Sequence, residues 1–442
     1  MNVNVRPTDT RDAELATLGA LPREELAQKL TDLRPLDLSE LFQRIGDDGL
    51  AELVAELDPF DAARLLRKLS QSQAADVLEE MAPDDAADVV DELDPIAAEA
   101  ILVAMDPDEA QELRELLTFE SGSAGGIMTP EFLAVRPDVT AERALVGLRQ
   151  LAGTTEQIYY TYVVEPDARR LLGVLSLRNL VLSSPTALVR DLMVTDVVKV
   201  HVDADQEDAA RLLDQHHLIA LPVVDSADRL VGIITADDAA AVLLEEAGED
   251  LERMGGSQPL EEPYLRASVA HLFRKRIGWL LVLFVAEAYT GSVLRFYEDT
   301  LSEQIALAFF IPLLIGTGGN TGSQTVSTLI RAMAVGEVGF QDILKVLRRE
   351  AAVGALLGLV MGAATYVRAW TLGVGIDVGP VVAMTATSVV IWAALVAAVL
   401  PLILRKLRVD PAVVSAPLIT TLVDGTGLII YFTVARLLLH LD

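Results

Sequence analysis

The chain changes character twice along its length. From about residue 275 onward, apolar runs recur at 275–297, 304–330, 346–370, 379–404 and 411–440. A helix of about 20 residues crosses the hydrocarbon of a bilayer, so each run predicts a membrane span. Between residues 58 and 117 the polarity instead repeats every twelve residues: "DPFDAARLLRKL", "SQSQAADVLEEM", "APDDAADVVDEL", "DPIAAEAILVAM", "DPDEAQELRELL". Each unit opens on Asp, Ser or Ala followed by Pro or Gln, then runs amphipathically for about two turns. Asp or Ser as N-cap, with Pro at the first helical position, marks a helix start. Helices this short bury no face alone, which predicts a stacked solenoid. Between 127 and 250 the pattern alternates strand-like and helical, and does so twice. Each copy reads strand, helix, strand, short turn, strand, helix, and "GVLSLRNL" and "GIITADDA" hold the same place in the two copies. The predicted fold class is multi-domain: an all-α helical solenoid, an α/β tandem pair and an α-helical transmembrane bundle of five spans.

Charge follows the same division. Residues 1–265 carry 54 Asp and Glu against 21 Lys and Arg, whereas residues 266–442 carry 11 against 14. An acidic surface repels nucleic acid and attracts cations. Cysteine is absent, which excludes disulfides, thiolate metal sites and Cys catalysis. The N-terminus is polar and no signal peptide is expected. Arg274, Lys275 and Arg276 precede the first span; Arg331, Lys345, Arg348 and Arg349 lie between the second and third; Arg405, Lys406 and Arg408 lie between the fourth and fifth. The alternate loops, around "FYEDTLSEQ" and "GVGIDVG", are acidic or poor in bases. The positive-inside rule then predicts a multi-pass protein of the cell membrane, with the acidic half cytoplasmic and the C-terminus outside.

Two spans are chemically odd. The second contains "GTGGNTGSQ", and the fifth reads "DPAVVSAPLITTLVDGTGLIIYF", with Asp424 inside it. Small residues and hydroxyls also serve plain helix packing. An ionisable residue at membrane depth asks for more, because it is expensive unless it faces a bundle interior or a wet path. Glycine-broken backbone is tolerated there only where protein or water satisfies it. A carboxylate among hydroxyls and carbonyls is an all-oxygen environment that suits a hard cation. Mg²⁺ keeps much of its water and is held by one or two carboxylates, but the sequence alone does not separate it from Ca²⁺ or Mn²⁺. Glu287, a second intramembrane carboxylate, reads as a structural residue or as part of the path. No GxxxxGK[ST], HExxH or GxSxG motif is present, so the chain is not expected to be an enzyme. His216 and His217 read as surface or interface residues rather than metal ligands.

The duplicated module resembles a tandem pair of CBS domains, which bind adenosyl ligands or ions. Taken with the acidic helical domain, the five spans and the motifs "IPLLIGTGGNTGSQ" and "DPAVVSAPLITTLVDGTGLIIYF", the chain resembles the MgtE-type magnesium channel/transporter family from about residue 20 onward. The boundaries this suggests are a flexible N-terminus at 1–20, an acidic helical domain at 21–125, CBS domains at 126–188 and 189–245, a connecting helix at 246–268 and a pore domain at 269–442. The resemblance implies a homodimer in a lipid bilayer, with a Mg²⁺ pore on its twofold axis lined by the second and fifth spans. Asp424 would hold the hydrated ion. Gly318, Gly319, Asn320, Gly322, Gln324, Thr420 and Thr421 would line the path. Ser323 and Ala416 depart from the family pattern, where relatives carry Asn.

The resemblance also implies that the cytoplasmic half senses Mg²⁺, with ions bridging acids at high concentration and closing the pore. The acids that match are Glu52, Asp84, Asp88, Asp205, Glu207, Asp238, Glu246, Glu249 and Asp250, whereas His217 and Ala241 stand where relatives have carboxylates. ATP binding is implied for some members, at positions matching Tyr160, Arg178 and Asn179, the last in place of a ribose-binding Asp. Two rival readings stand beside this one: a CBS-regulated transporter of another divalent cation such as Co²⁺, Mn²⁺ or Ca²⁺, and a membrane-anchored sensor of Mg²⁺ or nucleotide.

Overall fold

The computed structural model describes residues 17–18, 20–151, 159–166, 168–260, 262–407 and 409–441. The flexible N-terminus expected at 1–20 falls almost wholly outside them. The chain divides into two units, Met1–Glu246 and Ala247–Asp442.

From Arg23 the first unit contains α1 (Arg23–Thr31), α2 (Pro35–Ala55), α3 (Pro59–Leu66), α4 (Gln71–Glu79), α5 (Pro83–Asp91), α6 (Pro95–Leu102) and α7 (Pro107–Leu116). The twelve-residue period sets the caps of the last five. Asp58, Asp94 and Asp106 each accept a backbone N–H of the turn they open, and Ser70 forms a reciprocal capping box with Gln73. Ala82 occupies the same place before α5 and caps nothing. Each helix from α1 to α5 packs on the helix two further along, the pattern of a solenoid with two helices per turn. α2 is two helices merged across a kink at Gly46, whose φ of 81° is open to glycine alone at low cost.

The tandem module follows. The first copy contains β1 (Ala134–Val135), α8 (Ala141–Leu151), β2 (Tyr160–Val164), β3 (Leu171–Ser176) and α9 (Leu177–Leu182), and α10 (Val189–Leu192), from the stretch expected to open the second copy, packs Val189 into the first copy's core. The second contains β4 (Val200–His201), α11 (Gln206–Gln215), β5 (Ala220–Val224), β6 (Leu230–Thr235) and α12 (Ala236–Met254). Both sheets have the same order, with a parallel first pair and an antiparallel second pair, and both carry a bulge at the same place, Val163/Val164 and Val223/Val224. The copies meet through their hairpin turns: Leu171 N donates to Asp228 O at 3.1 Å, and Leu230 N to Arg169 O at 3.1 Å. One hydrophobic core runs without a break from the solenoid into the second copy, from Leu26 and Val54 to Leu221 and Val242.

α12 corrects one expectation. The connecting helix predicted at 246–268 begins within the second copy and ends at Met254. Gly256 follows in the left-handed region (φ 79°), then Pro259 and Pro263 prevent the helix from resuming.

The second unit contains α13 (Val269–Phe296), the short α14 (Glu298–Glu303), a 3₁₀ turn at Ile305–Phe310, α15 (Ile311–Ala334), α16 (Ile343–Thr371), α17 (Val378–Lys406) and α18 (Ala416–Leu439). Among the described residues five helices are long and apolar enough to cross a membrane, matching the five runs read from sequence. α16 and α17 pack through Gly354, Gly358 and Gly362, four residues apart, which meet Val390, Thr387 and Ala383 at backbone range. α15 and α18 pack on α17 and on each other, and α13 packs on α18. α13 is the least covered, with Leu281, Phe284 and Val285 exposed, as lipid contact requires.

Candidate functional site

The two odd spans are unbroken helices. The threonines that looked like breaks return their hydroxyls to the carbonyl one turn back: Thr317 to Leu313 at 2.7 Å, Thr321 to Thr317 at 2.9 Å, Thr420 to Ala416 and Thr421 to Pro417 at 3.0 Å. Each hydroxyl is thereby satisfied without water. The glycines of α15 do a different job from its amides. A methyl group on Gly318 would lie 2.7 Å from Val389 and Val423, on Gly319 2.8 Å from Thr420, and on Gly322 2.5 Å from Ile419. These three glycines therefore set the approach of α15 to α17 and α18. Asn320 and Gln324 lie on the opposite, exposed side of α15, and Thr420 and Thr421 are half-buried.

Asp424 sits in α18 between buried Val423 and Gly425, itself 8% exposed, with no hydrogen-bond partner for Oδ1. A Cβ on Gly425 would meet the Tyr289 ring at 2.4 Å, so that glycine admits α13 beside the carboxylate. Glu287, two residues before Tyr289, is exposed on α13. The two family departures meet each other: Ser323 Oγ lies 3.5 Å from both Ala416 O and Thr420 Oγ1.

In the first unit, Asp84 and Asp88 share one face of α5 by their spacing of four, and Asp238 and Glu245 share one face of α12 by their spacing of seven. The two faces are electrostatically coupled. Burial, then the charges of Asp238 and Asp85, push the Asp84 carboxyl up to about 8, and its Oδ1 has no partner. Close-packed protein around Asp88, which keeps solvent access, and the charges of Asp85 and Glu245 raise it to about 7. Partial burial with the charges of Glu246 and Asp58 raises Glu245. Sequence reading missed Glu245, although its place seven residues after Asp238 put it on the same face. Among the described residues no three acids or histidines are gathered at metal-binding distance.

The remaining acids divide by role. Asp205 caps α11, accepting from Glu207 N at 2.9 Å and Asp208 N at 3.3 Å. Glu207 pairs with Arg211, Glu246 accepts from Gln206 Nε2 at 2.7 Å, and Asp238 accepts from the Thr235 hydroxyl. Glu52 is exposed on α2. Glu249 and Asp250 belong to the second unit, where Glu249 pairs with Arg253 at 2.6 Å and Arg253 reaches Asp410 at 3.0 Å. His216 ends α11 and His217 follows with φ 50°, both exposed. Between the CBS-like copies, Tyr160 and Tyr162 line a small aromatic cleft with Leu133 and Ala220, while Arg178 and Asn179 are exposed at the start of α9.

Comparison with known proteins bears on the whole chain. Residues 12–122 match the MgtE intracellular N domain, 124–184 and 189–245 the CBS domain, and 311–434 the divalent cation transporter family MgtE. The magnesium transporter MgtE of Thermus thermophilus is 44% identical over 329 residues, 74% of this chain and 73% of that protein. The Bacillus subtilis protein of the same name is 35% identical over 325 residues, 74% of this chain and 71% of that one. The solved cytosolic domain of the Mg²⁺ channel MgtE in complex with ATP is 36% identical, covering 52% of this chain and 93% of that chain, with a TM-score of 0.48. The matches run from the acidic helices to the last span, and the chain belongs to the MgtE family of divalent cation transporters.

Proposed function

We propose that this protein carries Mg²⁺ into the cell across the cytoplasmic membrane and that its acidic soluble half closes the path when internal Mg²⁺ is high. The observation that carries the reading is Asp424: a buried carboxylate with an unpartnered oxygen, inside a candidate membrane span of a chain whose relatives are named magnesium transporters. A hydrated cation satisfies such a group through its water shell. Asn320 and Gln324 support a homodimer, because side-chain amides exposed to lipid go unsatisfied and a second copy on that face gives them water or partners. In that arrangement α15 and α18 line the path with Asn320, Gln324, Thr420 and Thr421, while Gly318, Gly319 and Gly322 hold the two helices together. The basic loops support a cytoplasmic acidic half and a C-terminus outside, by the positive-inside rule.

The sensor is the facing pair of acidic surfaces on α5 and α12. Asp84, Asp88 and Asp238 offer only oxygen, the donor set of a hard divalent cation, and the orphaned Asp84 oxygen is available to it. Mutual repulsion opposes docking until a cation replaces the protons that these raised carboxyls otherwise hold. Glu52, Asp205, Glu207, Glu246, Glu249 and Asp250 complete the set the family resemblance suggests, several of them through exchange of their present partners. ATP is proposed for the aromatic cleft at Tyr160, with Arg178 supplying positive charge and the Asn179 amide bonding a ribose hydroxyl.

Uptake of Mg²⁺ into proteoliposomes tests the reading. Asp424→Ala is expected to lower flux or selectivity over Ca²⁺ by about tenfold or more, the factor given by ~1.4 kcal/mol of lost cation stabilisation. Wild-type flux of Mn²⁺ or Co²⁺ without Mg²⁺ flux would transfer the proposal to another cation.

A further inference from the structure

The second unit contains a cavity of about 380 Å³ between the end of α12 and the start of α13, away from Asp424 and from the acidic cluster. Its walls combine three chemistries. Arg276 supplies an exposed cation with Lys275 beside it in the wall, Leu272 and Leu280 supply an apolar track, and Tyr264 an amphipathic ring. Glu252 stands opposite with the C-terminal end of α12 beside it, where the helix carries partial negative charge. Glu252 Oε2 accepts from Leu260 N at 2.8 Å, and Gln258 N donates to Lys275 O at 3.1 Å, so the loop that closes the cavity is tied to both walls. Gly256 fixes the corner: its left-handed φ of 79° and the Trp279 ring, which a Cβ would meet at 2.8 Å, leave no room for a side chain.

The cavity is lined by the first turns of the first candidate span. Val269, Phe273 and Leu280 are exposed on the same stretch as Arg274 and Arg276, the mixture of basic and apolar groups found at headgroup level. An ion from solution needs no apolar track, and an acyl chain alone needs no paired cations. We propose that the cavity is a headgroup site for a glycerophospholipid carrying both phosphate and ammonium, as phosphatidylethanolamine does. The phosphate lies against Arg276, the ammonium against the Glu252 carboxylate, and an acyl chain along Leu272 and Leu280. Such a lipid bridges the end of α12 to the first span and ties the position of that helix to the membrane.

The test uses full-length protein, purified in detergent and stripped of lipid, then exposed to phosphatidylethanolamine, to phosphatidylglycerol or to inorganic phosphate, with retained lipid read by native mass spectrometry. Wild type is expected to keep phosphatidylethanolamine in preference to phosphatidylglycerol, with no thermal stabilisation by inorganic phosphate. Arg276→Gln and Lys275→Gln/Arg276→Gln should weaken retention by about tenfold or more, since each removes a charge-assisted contact to phosphate. Arg274→Gln removes an equal charge outside the cavity and should keep wild-type retention. Equal retention by the double variant, equal retention of the two lipids, or stabilisation by inorganic phosphate to the same extent as by lipid would overturn the proposal. A double variant that instead changed the mass of the oligomer would assign the cavity to a second copy of the chain.

Discussion

Asp424 and the Asp84–Asp88 pair are carboxylates in surroundings that do not suit carboxylates, yet the surroundings differ in kind. Around Asp424 the neighbours are glycine, valine and threonines whose hydroxyls are already bonded to their own helix. Around Asp84 and Asp88 the neighbours are other acids: Asp85, Asp238 and Glu245. An acid packed among helices, with Glu287 on the neighbouring α13, gives a passing cation one strong but non-chelating contact, which suits transport. Crowded acids on two facing helices give a cation several contacts only when the helices close, which makes the ion a switch on conformation. In the proposed function the same residue type selects in one unit and senses in the other, and the difference in packing is what separates the two roles.

The comparison breaks most readily at the glycines that hold α15 against α17 and α18. Gly322→Val places a branched side chain where Ile419 already stands, and should destabilise the membrane unit by about 1–3 kcal/mol, read as a lower melting temperature in detergent. Gln324→Ala, on the exposed side of the same helix, should leave melting unchanged while altering flux. If both substitutions lowered stability alike, the division of α15 into a packing side and a path side would be wrong.

Protons sharpen the sensor half. The folded carboxyls of Asp84 and Asp88 lie above their unfolded value, so the folded state holds more protons than the unfolded state from about pH 4 to about pH 8, and its stability falls as pH rises through that range. Mg²⁺ must displace those protons. Its apparent affinity for the soluble half should rise by about tenfold or more from about pH 6 to about pH 8, with proton release measurable by calorimetry in buffers of different ionisation enthalpy. Asp84→Asn/Asp88→Asn should abolish that pH dependence, whereas an unchanged slope in the variant would place the sensor elsewhere.

The smallest expected effect concerns the scaffold alone. Asp94→Ala removes the cap that accepts Ala97 N at 3.1 Å and should cost about 1 kcal/mol. The equivalent Ala82→Asp should be neutral or stabilising by cap chemistry, unless its added charge near Asp84 and Asp85 offsets the gain. Mg²⁺ titration of its melting temperature separates the two contributions.

Much of this was legible in the sequence because the signals were periodic. The twelve-residue repeat gave the caps, apolar run length gave the spans, and the duplicated strand–helix pattern gave the two sheets. What was not legible depended on partners distant in the chain. The glycine-rich stretch read as a break, yet it is continuous helix, since each threonine hydroxyl bonds its own backbone and each buried glycine faces a side chain from α17 or α18. The end of the connecting helix at Met254 was signalled by Gly255, Gly256, Pro259 and Pro263, and family analogy overrode those local signs. Glu245 was missed for a similar reason: the resemblance named its neighbour Glu246, which instead bonds Gln206. That Ser323 and Ala416 touch could not be read from residues 93 positions apart, and it turns two separate departures into one altered contact.

The central claim, that one carboxylate selects and a separate cluster senses, is tested most directly by Mg²⁺ uptake into proteoliposomes with the Mg²⁺ on the cytoplasmic side held at a series of concentrations. Wild type should conduct at low cytoplasmic Mg²⁺ and close as it reaches the millimolar range. Asp84→Asn/Asp88→Asn should conduct with its dependence on cytoplasmic Mg²⁺ altered, whereas Asp424→Asn should stay poor at every concentration. Wild-type gating in the Asp84/Asp88 variant together with wild-type flux in the Asp424 variant would contradict the account.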